Sequence, residues 1–250
     1  MSWRPPPCGL RPEQKPTGGP LGELSWSIAI SLHECLRLGR YPWWWKLHLG
    51  LWRAYRGWHP NDTLGALPAE EQRDTLAYGE TPAYTVTRVL AMCRQHFPRA
   101  QSLLDLGAGR GTLALTAAAT GWDVLAVEYL QELVLRSEPV GRRHGWPVQW
   151  LHGDFLTLSL PRCDIIHVAA TAFSDQTRQA LADRWIGECD PGQGLLLQDW
   201  ILDDERFEPL IGVRLPVTWG CSYFTLHRLR GPSPRGSDPA RMDSTPSPAG

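Results

Sequence analysis

The sequence predicts a doubly wound α/β fold: a seven-stranded Rossmann-like sheet, mostly parallel, with a terminal antiparallel hairpin and an N-terminal helical cap. Three observations carry this expectation. From about residue 78, short apolar runs alternate with helix-like segments, as in parallel strands joined by crossover helices. Within that region "LLDLGAGRGTLALTAA", Leu103 to Ala118, reads as a strand, a tight glycine turn and a helix start. The last two strand-like runs, Ile211–Val217 and Ser222–Arg228, are separated only by a turn at Trp219-Gly220, which suits an antiparallel pair at the sheet edge.

The elements follow in order. Residues 1–21 and 231–250 are rich in Pro, Gly and Ser, have little to bury, and are expected to be disordered. Residues 22–75 form a tryptophan-rich cap of two helices, "LSWSIAISLHECLRL" and "YPWWWKLHLGLWRAYRGW". Pro42 sits just inside the second, where its missing N–H is tolerated. Residues 76–230 form the α/β domain. Its first helix spans Ala83–His96, and strands follow at Ser102–Leu106, Asp123–Val127, Val148–Leu151, Asp164–Val168 and Leu195–Gln198. Helices fill the gaps at Gly111–Thr120, Leu130–His144 and Ser174–Gly187, the second weakened by Pro139. No internal repeat is visible.

Composition narrows the function. An apolar content of 42% over 250 residues allows a full core, and a formal charge of −1 gives no general attraction to nucleic acid. The six cysteines are scattered without a C-x-x-C pair, which reads as reduced thiols and not as a zinc site or disulfide framework. The N-terminal residues lack an apolar signal core, and no run approaches the ~18 apolar residues of a membrane span. These features lead us to expect a soluble, cytoplasmic protein.

The glycine turn "DLGAGRG" narrows the ligand. A phosphate-binding P-loop needs a lysine and a hydroxyl residue at the helix start, whereas Gly111 is followed by Thr112 and Leu113. A dinucleotide fingerprint needs G-x-G-x-x-G, whereas Gly107, Gly109 and Gly111 are spaced G-x-G-x-G. S-adenosylmethionine (SAM) fits better, since its amino-acid end is a zwitterion. Asp105 at the strand end can orient the loop or meet the ammonium, and the small residues Gly107, Ala108 and Gly109 permit close backbone approach. Glu128 ends the next strand, placed to accept from both ribose hydroxyls. After the third strand, Asp154 in "HGDF" is placed for the adenine amino group and Phe155 for the ring.

With these residues in place, the chain resembles the class I SAM-dependent methyltransferases, and more narrowly their Dot1-type branch. The narrower resemblance covers about residues 76–230 and rests on "YGETP", Tyr78 to Pro82, ahead of "LLDLGAGRG", "AVE" and "GDFL". It also rests on "IIHVAATAF" and the aromatic-rich "VTWGCSYFTLHRLR". It implies that Tyr78, Glu80 and Thr81 close over the methionine end of SAM. Pro82 fixes its own φ and biases Thr81 away from helix, which sets Thr81 near the N-cap of the helix that follows. The resemblance further implies transfer to the nitrogen of a protein lysine. Ala169 and Ala170 stand where Dot1 enzymes carry paired asparagines, and the tail after Arg230 lacks their basic segments. The alternatives are a small-molecule acceptor under the cap and a SAM-binding regulatory protein without transfer.

Methyl transfer is an in-line displacement that depends on alignment and desolvation. The candidates for lining an acceptor channel are Thr171, Phe173, Trp219 and Tyr223. His167 lies inside an apolar run and reads as a core histidine without a base role. In the cap, Arg37, Arg40, Lys46, Arg53 and Arg56 are interleaved with tryptophans with no acid between them. The plainer reading packs the tryptophans on the α/β domain and leaves the cations in water. The other reading is contact with a membrane surface or an anionic partner.

Overall fold

The computed structural model describes residues 19–59 and 79–230, with side chains from residue 26. The C-terminal tail, most of the N-terminal segment, the end of the cap and Tyr78 lie outside these residues. The cap comprises α1 (Gly19–Leu38) and α2 (Pro42–Tyr55). The α/β domain runs α3 (Ala83–His96), β1 (Ser102–Leu106), α4 (Thr112–Ala119), β2 (Asp123–Glu128), α5 (Gln131–His144) and β3 (Val148–His152). It continues with β4 (Ile165–Ala169), α6 (Asp175–Glu188), β5 (Gly194–Gln198), β6 (Phe207–Val217) and β7 (Gly220–Leu229).

The strands form one seven-stranded sheet in the order β3-β2-β1-β4-β5-β7-β6. The first five run parallel, and β7 enters antiparallel between β5 and β6. Strand order therefore reverses between β1 and β4, the point in such sheets where ligands bind beyond the carboxyl ends. Alternation along the strands divides the core into two layers. Leu103 and Ile165 join Val86, Val89, Leu113 and Trp122 beneath α3 and α4, while Leu104, Ile166 and Val168 join Leu181 and Trp185 beneath α6. Asp105 and His167 share the first of these faces, at opposed positions of β1 and β4.

A third apolar cluster holds the cap. Trp44, Leu47, Leu51 and Tyr55 recur at helical spacing along α2 and pack with Leu115, Leu133 and Val140 of the α4–α5 layer. Glu34 of α1 reaches α3, its Oε1 accepting from the Tyr84 N–H at 2.7 Å. The α3 N-cap is Pro82, with no side-chain cap bond of its own, so Glu34 supplies that acceptor from another helix. Burial raises the Glu34 pKa, and the N–H donors of Tyr84 and Ala83 oppose the shift.

Two element starts differ by four or more residues from the expectation. Helix α1 begins at Gly19, inside the segment expected to be disordered. Strand β6 begins at Phe207, four residues early, with its register shifted between Pro209 and Ile211. A proline interrupts a strand pattern in sequence, but β6 is the sheet edge, where a missing N–H costs no ladder bond. Helix α3 spans Ala83–His96 as expected, with Pro82 as its N-cap and Thr81 next to it.

Candidate cofactor and active site

The β1–α4 turn occupies the carboxyl edge at the reversal of strand order. Gly107, Gly109 and Gly111 have φ of +78°, +57° and +77°, which explains glycine at each. At Gly111 a Cβ would also lie 2.4 Å from the Trp150 ring. The N–H groups of Gly107 and Ala108 both donate to the Val127 carbonyl, that of Gly109 to Glu128 Oε2, and that of Gly111 to the Ala108 carbonyl. These four N–H groups are used within the chain, and a carboxylate stands among them. A pyrophosphate has little to bind here.

The turn borders an open cavity of about 890 Å³, counting its mouth. Glu80, Thr81, Asp105, Gly107, Ala108, Gly109, Glu128, Phe155 and Phe173 all line it. On its floor, Asp105 Oδ1 lies 2.7 Å from His167 Nδ1, and both residues are buried. Asp105 Oδ2, His167 Nε2 and Thr112 Oγ1 are buried without a hydrogen-bond partner among the described residues. In the tautomer whose Nδ1–H donates to Asp105, His167 offers Nε2 as an acceptor, and Asp105 keeps Oδ2 for a further donor. Two such acceptors on one cavity wall suit a donor with several hydrogens, as an ammonium has.

Glu128 is also buried. Its Oε2 accepts from Gly109 N–H at 2.7 Å and its Oε1 from Leu130 N–H at 2.8 Å. It therefore pins the glycine turn as well as facing the cavity, a role the sequence reading did not include. A carboxylate has about four acceptor positions, so both oxygens keep capacity for hydroxyl donors. Burial raises its pKa, the two N–H donors lower it, and the nearby Asp105 charge adds to the rise.

The segment before α3 closes one side. Thr218 Oγ1 donates to the Glu80 carbonyl at 3.1 Å, and Trp219 lies so close that a Cβ on Gly79 would meet its ring at 2.3 Å. Glu80 pairs with Arg110 at 2.5 Å, and the Arg110 guanidinium stacks 4.3 Å over the Tyr55 ring. Thr81 Oγ1 donates to Gln198 Oε1 at 3.0 Å. Opposite, Phe155 stacks on Phe173 with ring centroids 6.0 Å apart. Asp154 starts the loop beside Phe155, its Oδ1 accepting from Leu156 N–H, and stands outside the cavity wall.

The four residues expected to line an acceptor channel are held by different partners. Phe173 lines the cavity and Trp219 covers Gly79. Thr171 and Tyr223 instead meet Asp199, which accepts from Thr171 Oγ1 at 2.7 Å, Ser222 Oγ at 2.9 Å and Tyr223 N–H at 2.8 Å. Asp199 has φ +55°, uncommon for a residue with a side chain. Gln198 Nε2 donates to Ser222 Oγ, so a polar chain runs from Thr81 through Gln198 and Ser222 to Asp199 and Thr171.

The sequence reading missed His167, Arg110, Gln198 and Asp199. Asp199 follows the run "GLLLQ" at a strand end, the same signal that picked out Glu128. His167 gave no such signal, because only the β1–β4 register sets it opposite Asp105.

No family model matches the chain. Uncharacterized proteins of Mycobacterium tuberculosis (strain ATCC 25618 / H37Rv) and Mycobacterium bovis are each 26% identical over 134 residues, covering 47% of this chain and 48% of theirs. The chain thus spans about half the length of the curated relatives it matches. Among solved structures, an RNA methyltransferase from Salinibacter ruber in complex with S-adenosyl-L-homocysteine is similar at 20% identity and a TM-score of 0.52. That likeness covers 62% of this chain and 97% of the other. The magnesium protoporphyrin IX methyltransferase from Synechocystis PCC 6803, with bound SAM, is similar at 13% identity and a TM-score of 0.51, covering 69% and 97%. The chain has the class I SAM-dependent methyltransferase fold. In that fold the glycine turn, the Asp105–His167 pair and Glu128 stand together at the carboxyl edge of the sheet. None of these likenesses singles out a Dot1-type branch.

Proposed function

We propose that this protein is a SAM-dependent methyltransferase with a small-molecule acceptor. The observation that carries the cofactor reading is the set of orphaned acceptors, Asp105 Oδ2 and His167 Nε2, beside a glycine turn whose own N–H groups are engaged. That arrangement suits a cation and not a phosphate. Asp105 and His167 would hold the ammonium of the methionine end, Glu128 the ribose hydroxyls, and Phe155 the face of the adenine. Thr81 and Glu80, clamped to Thr218 and Gln198, would keep water from that end. When bound, SAM supplies a methyl group activated by its sulfonium.

A small acceptor is favoured over a protein lysine by the solved structures that share this fold. The similar solved structures above act by their names on RNA and on magnesium protoporphyrin IX, neither of them a protein. Calorimetry with SAM, S-adenosylhomocysteine and NADH tests the cofactor: the first two should bind and NADH should not. Methyl-labelled SAM incubated with a fractionated lysate tests the acceptor, with label expected in small metabolites. Label confined to protein would overturn the acceptor reading, and no incorporation alongside normal SAM binding would favour a regulatory protein.

A further inference from the structure

We infer that the outer face of the cap docks on an anionic lipid bilayer. This goes beyond the proposed enzymatic function and does not rest on it. Helix α2 has two apolar faces, and only one is used by the fold. Trp44, Leu47, Leu51 and Tyr55 are buried, whereas Trp45, Leu49 and Trp52 are 46%, 47% and 57% exposed. The exposed three are spaced i, i+4, i+7 and so form a single stripe. Helix α1 repeats the pattern with Ile28, Leu32 and Leu36 at i, i+4, i+8, exposed by 51%, 59% and 84%. Exposed apolar stripes of this kind mark an interaction surface.

Charge identifies the occupant. From Trp26 to His59 the cations are Arg37, Arg40, Lys46, Arg53 and Arg56, and all five are exposed. The single acid in this stretch, Glu34, is buried and bonded to the Tyr84 N–H. A second copy of the chain would bring like charges together around the stripe. Nucleic acid would meet the cations but leave the aliphatic stripe of α1 exposed. An anionic bilayer satisfies both: headgroups neutralise the cations while indoles and aliphatic side chains enter the interface. Tryptophan favours that depth, and basic residues near an anionic leaflet add to the attraction. No helix among the described residues is long and apolar enough to cross a membrane, so the contact is peripheral.

Co-sedimentation of the full chain with phosphatidylcholine vesicles, with and without phosphatidylglycerol, tests the inference. Protein should pellet with the phosphatidylglycerol vesicles, less so as salt rises, and stay in the supernatant with phosphatidylcholine alone. Trp45→Ser/Trp52→Ser should reduce partition by about tenfold or more, and Lys46→Glu/Arg53→Glu should abolish it. Circular dichroism and melting midpoints establish that both variants are folded. Three outcomes would overturn the inference: folded wild-type protein left in the supernatant, pelleting that neither variant changes, or equal pelleting with neutral vesicles. Concentration-dependent dimerisation that the tryptophan variant removes, without vesicle binding, would also overturn it and assign the face to self-association.

Discussion

Asp105 and His167 face each other from adjacent parallel strands, Oδ1 to Nδ1 at 2.7 Å, and each leaves one buried polar atom without a partner among the described residues. Leaving such atoms unsatisfied costs roughly 1–3 kcal/mol each, so the pair is poised for a donor. His167→Leu removes one acceptor and should weaken SAM binding by about tenfold, as one charged hydrogen bond implies. Binding of 5′-methylthioadenosine, which lacks the amino-acid end, should change little. Equal loss for both ligands would show that the pair only supports the fold. Unchanged SAM affinity would remove His167 from the site.

Glu128→Gln tests the second anchor. Each carboxylate oxygen accepts a backbone N–H, from Gly109 and from Leu130, so an amide nitrogen must oppose one of those donors. SAM affinity should fall by about tenfold or more and the melting midpoint should drop with it. Burial raises the Glu128 pKa in the ligand-free protein, and hydroxyl donors favour the ionised form. SAM affinity should therefore rise with pH just above the ordinary carboxylate range and then level off. Calorimetry of the variant and a pH series on the wild type read both effects.

The legible parts of the molecule were those encoded locally. The glycine turn showed in the sequence because three positive-φ positions admit little else, and Glu128 because it ends an apolar run. What stayed hidden depends on partners distant in sequence. His167 looks like a core residue until register sets it against Asp105, 62 positions earlier. Thr81 reads only as a residue beside a helix start until Gln198, 117 positions later, takes its hydroxyl. The tryptophans of "WWWKLHLGLW" could not be sorted by composition: Trp44 is buried, whereas Trp45 and Trp52 face outward.

Thr81 bonds Gln198 and Glu80 bonds Thr218, contacts that support our proposal that Gly79–Thr81 closes over the cofactor. SAM should protect the amides of residues 79–81 from hydrogen exchange. Thr81→Ala should weaken SAM binding less than Glu128→Gln does, since a neutral hydrogen bond contributes less than a charged one. Gly79→Val should open the segment, because a Cβ there would lie 2.3 Å from the Trp219 ring. Exchange at 79–81 that is indifferent to SAM, while the glycine turn becomes protected, would reduce the segment to a strap.

His227 yields a stability prediction independent of any ligand. It lies on β7 opposite Leu195 of β5 and Pro209 of β6, fully buried, with neither ring nitrogen hydrogen-bonded among the described residues. Burial lowers its pKa to about 4, so the folded chain keeps a neutral imidazole. In the unfolded chain the ring titrates near its ordinary value of ~6.5. Between these values the unfolded state binds a proton that the folded state refuses, so stability is complete above about pH 6.5 and declines as pH falls toward 4. Near pH 5 this amounts to about 2 kcal/mol, on the scale of 1.36 kcal/mol per pKa unit. Carboxylates also titrate in this range, and His227→Leu separates the contributions by removing the imidazole alone. Urea unfolding of both proteins at pH 7 and pH 5 should show the wild type losing more stability than the variant. Parallel losses would mean that the His227 ring finds a proton-stabilising partner in the folded state.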